Sequence, residues 1–185
     1  MRAKNAGSKG RRPHRHRPHR GGLLGVLAIS YNGLVANQQA VLAQWAQVEN
    51  QYQRKLDLIP RLVNTTSQYA EFEATLLENI TALRSQWQSA QTLPERVNLS
   101  NLLDLSLLQL VLTYESYPNA YFPILVQDLM FELTSTENQI ATERLRFNDR
   151  VRVYNTRVMS FPDSIAAGIF GFRSYEYYDP IPGGP

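Results

Sequence analysis

The side chains best suited to chemistry are three histidines, and all stand near the N-terminus: His14, His16 and His19. A His-x-His pair can hold a metal loosely, yet a specific site needs a fold to orient its ligands. No histidine follows residue 19, and that decides several enzyme classes at once. A ferritin-like di-iron bundle requires Glu-x-x-His on its helices, and a Ser-His-Asp or Cys-His mechanism requires an imidazole base. Cysteine is absent, which removes thiol catalysis, thiolate metal sites and disulfides. There is no Gly-rich phosphate loop. Glu71 and Glu73 would point to different helix faces and make a poor acid–base pair. The chain is therefore expected to be no enzyme, with no catalytic residues, no metal, no cofactor and no small-molecule substrate.

One polar constellation remains. Glu137, Arg144, Asn148 and Asn155 are spaced 7, 4 and 7, which places them on one flank of a helix. If an earlier helix runs antiparallel beside it, Arg54 and Asp57 lie level with residues 130–137. An Arg54–Glu137 or Arg54–Glu132 pair would result, and Asn32 would lie near Asn155. This seam of Arg54, Asp57, Glu137, Arg144, Asn148 and Asn155 has two readings. Its amides and ion pairs fix helix register, or it is a strip that binds a partner.

The element that carries most of the seam is the run Leu125–Phe161, which contains neither Gly nor Pro. Leu129, Leu133, Ile140, Phe147, Val151, Tyr154, Val158 and Phe161 repeat at steps of three, four and seven, so the run predicts one long helix. A first helix is predicted from Val41, Trp45, Val48, Tyr52, Leu56, Ile59 and Val63, with Pro60 kinking it near residue 56. A second runs from about Thr66 to Ser89, with Tyr69, Phe72, Leu76, Ile80, Leu83 and Trp87 on its stripe. The third begins at a capping box, Thr92 with Glu95, with Pro94 in its first turn. Its middle, Leu102–Leu112, is apolar on more than one face, so this helix is the most buried of the bundle or meets another chain. The expected architecture is all-α: a long antiparallel up-down four-helix bundle with two long and two shorter helices.

Charge divides the chain. Of its 185 residues, the first 20 hold eight Lys/Arg and no acid, leaving 11 bases against 16 acids in the rest. Residues 1–22 therefore read as a disordered basic tail. Arg11, Arg12, Arg15, Arg17 and Arg20 are its candidate contacts to a polyanion, whether lipid headgroups or nucleic acid. The apolar stretch Leu23–Val35 comes next. As a helix it rises about 20 Å, short of the roughly 30 Å of bilayer hydrocarbon, so it reads as an interfacial or shortened anchor, or as buried helix. Because the first and fourth helices outrun the other two, this stretch should lie beside Val151–Phe161. The aromatic segment 162–185 starts at that same end. Leu23, Leu24, Val26, Leu27, Ile29, Phe170 and Phe172 are the candidate membrane contacts.

Several ordered motifs then carry a resemblance. Tyr31-Asn32-Gly33-Leu34-Val35, the run Gln53–Val63, Tyr117-Pro118, Thr136–Ile140, Phe147–Thr156, Phe161-Pro162 and Ile169-Phe170-Gly171-Phe172 resemble the LemA family over about residues 31–178. The resemblance implies a bacterial helical bundle, usually with one N-terminal membrane segment and without established enzymatic activity. The chain departs from the family pattern at Arg61, where Asn is common, at Phe72, where His is common, and in its basic, short-anchored N-terminus. The expected function is that of a non-enzymatic, membrane-associated scaffold or interaction protein, meeting itself or other envelope proteins, with the tail held in the cytoplasm by the positive-inside bias. The alternative is a nonspecific nucleic-acid-binding module acting through the tail, with salt-sensitive affinity and an acidic body that repels phosphate.

Overall fold

The computed structural model describes residues 20–117 and 122–178. Five helices appear in the order α1 Arg20–Thr66, α2 Ala74–Ser89, α3 Leu93–Ser116, α4 Ile124–Met159 and α5 Asp163–Phe170. At 1.5 Å per residue, α1 (47 residues) and α4 (36 residues) reach about 70 and 54 Å, against about 24 and 36 Å for α2 and α3. α1 packs most extensively on α4, α2 pairs with α3, and α5 lies against α1 and α4 where the long pair outruns the short one. The bundle expected from the apolar spacing is the one observed.

The α4 stripe is buried from Leu129 to Tyr154, and the α1 stripe is buried from Val41 to Ile59. Pro60 lies inside α1, which continues through it to Thr66. Proline has no N–H, so the carbonyl of Leu56 loses its intrahelical donor. Arg84 on α2 replaces that donor, its Nε donating to the Leu56 oxygen at 2.9 Å. Arg84→Ala should therefore cost about 1–2 kcal/mol in urea denaturation, and much less in a Pro60→Ala background, where the helix regains its own donor. Equal losses in both backgrounds would sink this account.

α2 begins at Ala74, eight residues later than its stripe suggested. Residues 67–73 instead form turns that reverse the chain. Tyr69 and Phe72, expected on the helix, gather with Tyr114 around Phe122 and close this end of the core, with ring centroids 5.2–5.7 Å apart. The start of α3 is as expected: the Thr92 side chain accepts from the Glu95 N–H, while Glu95 Oε2 accepts from the Gln91 N–H. α3 is not buried all round. Leu99, Leu103, Leu107 and Leu110 face the core, whereas Leu102, Leu105, Leu108 and Leu112 face solvent.

The apolar periodicity does not predict α5 or the segment after it as regular structure. Gly171 ends α5 with a φ of +76°, a left-handed conformation that glycine adopts without a steric penalty. The chain then turns back and runs extended from Phe172 to Tyr178 along α4. Ala166 and Ala167 are buried against Leu34, Leu27 and Val158 in a small cluster distinct from the main core. Arg157 ion-pairs with Asp163 at 2.7 Å and its guanidinium covers Gly33, so any Cβ at residue 33 would press on it. The Ser30 hydroxyl and Arg157 together hold the Asp163 carboxyl below its usual range.

Candidate functional site

The strongest electrostatic feature lies in mid-bundle. Lys55 has no exposed surface, and its ammonium pairs with Asp104 of α3 at 2.5 Å and with Glu137 of α4. Arg144 of α4 binds the second oxygen of Asp104, which also accepts from the Tyr52 hydroxyl at 2.9 Å. Two cations thus face two anions across three helices. Burial pushes the Asp104 carboxyl up to about 7, with Glu137 adding to the rise and Lys55 opposing it. Burial lowers the Arg144 pKa as well. A buried ion pair of this kind is held by its hydrogen bonds as much as by charge.

The C-terminal strap, residues 172–178, seals the cluster. Tyr178 is buried, and its hydroxyl lies 3.1 Å from that of Tyr52 and donates to Asn101 Oδ1. Arg144 stacks over the Tyr178 ring with its guanidinium carbon 4.4 Å from the centroid. Trp45 stacks near the same ring, with centroids 6.3 Å apart. Burial raises the Tyr178 hydroxyl pKa, so the phenol stays neutral.

Two asparagines hold the strap by its backbone. Asn155 donates to the Tyr175 carbonyl at 2.8 Å and accepts from its N–H at 2.9 Å, and Asn148 does the same for Tyr178 at 2.9 and 2.8 Å. The spacing explains the fit. Seven helical residues advance about 10.5 Å, and three extended residues advance about 10 Å. Each carboxamide therefore meets every third strap residue and satisfies both of its backbone groups.

The expected seam is in part corrected. Glu137 and Arg144 join the ion-pair network, but Arg54 forms no ion pair among the described residues. The lysine one position later points inward in its place, because Lys55 shares a face with Tyr52 and Ile59 while Arg54 is exposed. Asp57 is also exposed and accepts from Gln53 at 2.8 Å. Arg54 and Asp57 line a shallow surface hollow with Glu132 and Gln139. Asn32 is exposed, and the Asn155 amide is occupied by Tyr175 rather than by α1. Asn148 and Asn155 hold the strap and not the register of two helices. Asn148→Leu should consequently lower stability by about 2 kcal/mol, since it leaves the Tyr178 N–H and carbonyl unpaired. A thermal melt that rises instead would restore the helix-register account.

Lys55, Asp104, Tyr52, Asn101 and Tyr178 are missing from the seam as read in the sequence. A signal existed for two of them: Asp104 is the single charge between Arg96 and Glu115, and Lys55 continues the spacing of Val48, Tyr52 and Ile59. The network contains no nucleophile–base pair. Among the described residues no three His, Cys, Asp or Glu gather as a metal would require. A groove of about 580 Å³ beside the strap is lined chiefly by Leu93, Pro94, Val97, Phe147 and Tyr177, without a cluster of reactive groups.

The candidate membrane contacts meet at the α5 end. Leu24 and Ile29 are 68% and 72% exposed, Val26 and Phe170 are exposed, and Leu27 and Phe172 are half-buried. Tyr31 packs against Phe170 and Phe172 with centroids 4.8 and 5.7 Å away. Met159, Phe161, Ile165 and Ile169 add exposed apolar surface that was not foreseen as contact. Leu23 lies in α1, but its side chain is outside the described ones, as is that of Arg20. Arg11, Arg12, Arg15 and Arg17, with the three histidines, lie outside the described residues altogether. Among the described residues no helix is long and apolar enough to cross a membrane.

Known proteins match the chain over most of its length. Magnetosome proteins MamQ 2 and MamQ 1 of Paramagnetospirillum magneticum are each 24% identical over 187 residues, covering 87% of this chain and 69% of the relative. Magnetosome protein MamQ of Magnetospirillum gryphiswaldense is 23% identical over 185 residues, covering 86% and 68%. The LemA family profile matches residues 44–182, which include the buried network, both strap-holding asparagines and Tyr178. The chain belongs to the LemA family.

Proposed function

We propose that this protein is a non-enzymatic, membrane-associated helical rod that meets an anionic membrane surface through its apolar end and holds other envelope proteins, or further copies of itself, along its length. One observation carries the reading: exposed apolar side chains from α1 and from the α4–α5 corner collect at the end where the cationic segment joins the fold. A cationic segment beside an apolar wedge is what an anionic bilayer interface attracts and retains. The relatives named for magnetosomes support an association with a membrane-bounded structure. The buried network gives the rod a fixed cross-section and offers no reacting group, which supports a structural role.

Co-sedimentation of the full chain with neutral and anionic liposomes, beside a chain that starts at Tyr31, tests the proposal. Binding to anionic vesicles is expected, with a fraction that survives high salt because apolar side chains insert. The shortened chain should lose most of it. No binding to either vesicle at low salt would overturn the membrane reading.

A further inference from the structure

We propose that α5 is a second lipid-contacting element, whose exposed Ile165, Ile169 and Phe170, with Phe161 in the turn before it, bed into the interfacial layer of an anionic bilayer beside the first turns of α1. This inference rests on the membrane reading and adds a site to it, since a short N-terminal anchor would suffice for attachment alone.

The sequence from Phe161 to Phe172 contains one charge, Asp163. That charge is turned inward, bonded by Ser30 and ion-paired with Arg157. Ile165 and Ile169 of α5 stand four residues apart and share the opposite face, Ile169 being 62% exposed, and Phe161, in the turn just before α5, is 82% exposed. Ala166 and Ala167, the small residues of the same helix, are the ones buried against α1. A short helix that buries alanines and exposes phenylalanine and isoleucine reverses the usual order of burial. The apolar surface continues from α5 through Phe170 to Tyr31, which shares a face of α1 with the exposed Leu24 seven residues earlier. Patches of this kind on a folded chain mark a contact surface.

Charge selects lipid as the occupant. The eight Lys/Arg of residues 1–20 lead directly into α1 at this same end, while residues 21–185 have an excess of acids. Anionic headgroups complement the cations, and the acyl boundary complements the apolar face, within a depth of about 5–10 Å. A helix of eight residues is about 12 Å long, which suits lying along the interface and not crossing it. The Arg157–Asp163 pair fixes α5 to α4, so both apolar elements are presented together.

The chain lacks cysteine, so a single introduced thiol can carry an environment-sensitive fluorophore without background. Full-length Ile169→Cys, Leu24→Cys and, at the far end of the bundle, Ser116→Cys would be labelled and mixed with phosphatidylcholine vesicles with and without phosphatidylglycerol. With anionic vesicles the labels at 24 and 169 should shift to the blue and be quenched by spin-labelled acyl chains, and the label at 116 should not change. Ile165→Glu combined with Ile169→Glu should weaken vesicle binding at least tenfold with an unchanged thermal melt, because both side chains are exposed. A label at 169 that stays in water while the label at 24 inserts would overturn the role of α5 and leave N-terminal attachment standing. No insertion at either position, together with no co-sedimentation, would overturn both. Quenching of the 169 label by protein–protein contact in the absence of vesicles would assign the face to a second copy of the chain and overturn the lipid proposal.

Discussion

At pH 8, where the Asp104 carboxyl is ionised, Asp104→Ala should destabilise the fold by about 3–5 kcal/mol, read as a fall in the urea midpoint at constant slope. The substitution removes the carboxylate that joins Lys55, Arg144 and Tyr52. Lys55, which has no exposed surface, then keeps Glu137 and the face of the Tyr52 ring, and Arg144 keeps its stacking on Tyr178 and Tyr52. The cost is that of stranded buried charge more than that of a lost attraction. pH dependence supplies an internal check. The folded state raises the Asp104 pKa to about 7, above its ordinary 3.8, so it binds the proton more tightly than the unfolded chain does. This carboxyl's contribution to stability is complete below pH 4 and declines as pH rises toward 7. That decline should vanish in the alanine variant. A loss under about 1 kcal/mol would show that water reaches the cluster and screens it.

Tyr178→Ala should cost a similar amount, about 3–5 kcal/mol, as expected for emptying a buried aromatic site. Tyr178→Phe should cost only about 1 kcal/mol, the worth of the hydroxyl bonds to Tyr52 and Asn101. The gap between the two isolates the ring, which packs on both Arg144 and Trp45 and seals the ion-pair cluster. Trp45 fluorescence offers a second measurement, because loss of the stacked ring admits water and should shift its emission to the red in the alanine variant alone. Equal effects of the two substitutions would place the strap's grip in the hydroxyl.

The elements were legible to the extent that one helical face stayed apolar. α4 was predicted as Leu125–Phe161 and is Ile124–Met159, because an uninterrupted stripe at helical spacing has few other ways to bury itself. About two turns at the start of the expected second helix are absent, since Tyr69 and Phe72 keep helical spacing while packing from turns onto Phe122. The strap was not legible. Phe172, Tyr175 and Tyr178 recur every third residue, which matches neither the helical nor the strand period, and the backbone bonds of Tyr175 and Tyr178 go to side chains that stand 20 and 30 positions earlier. For the same reason spacing places Asn148 and Asn155 on a flank of α4, with Asn155 near Asn32 of α1, and does not reveal the strap that they hold. Their spacing reported correctly that they share a face, and spacing alone does not say what covers it. Spacing alone favours Arg54 over Lys55, because an interior lysine becomes intelligible only once both of its carboxylates, on two other helices, are in view.

The match between α4 and the strap has a last consequence, which concerns slippage. A peptide gripped at every third backbone unit has a natural step of three, since only a shift of three returns aromatic side chains to both clamps, whereas a shift of one or two brings Ser174 or Arg173 to the first. A shift of three would set Tyr175 where Tyr178 now sits and Phe172 where Tyr175 does, so the same two clamps would close on a nearly equivalent peptide. What forbids that second notch is the anchorage of α5 through Arg157, Asp163 and Ser30, only a glycine away from Phe172. The corner at the apolar tip thus sets the phase of the whole strap, and the tyrosine closing the ion-pair cluster in mid-bundle is selected at its far end.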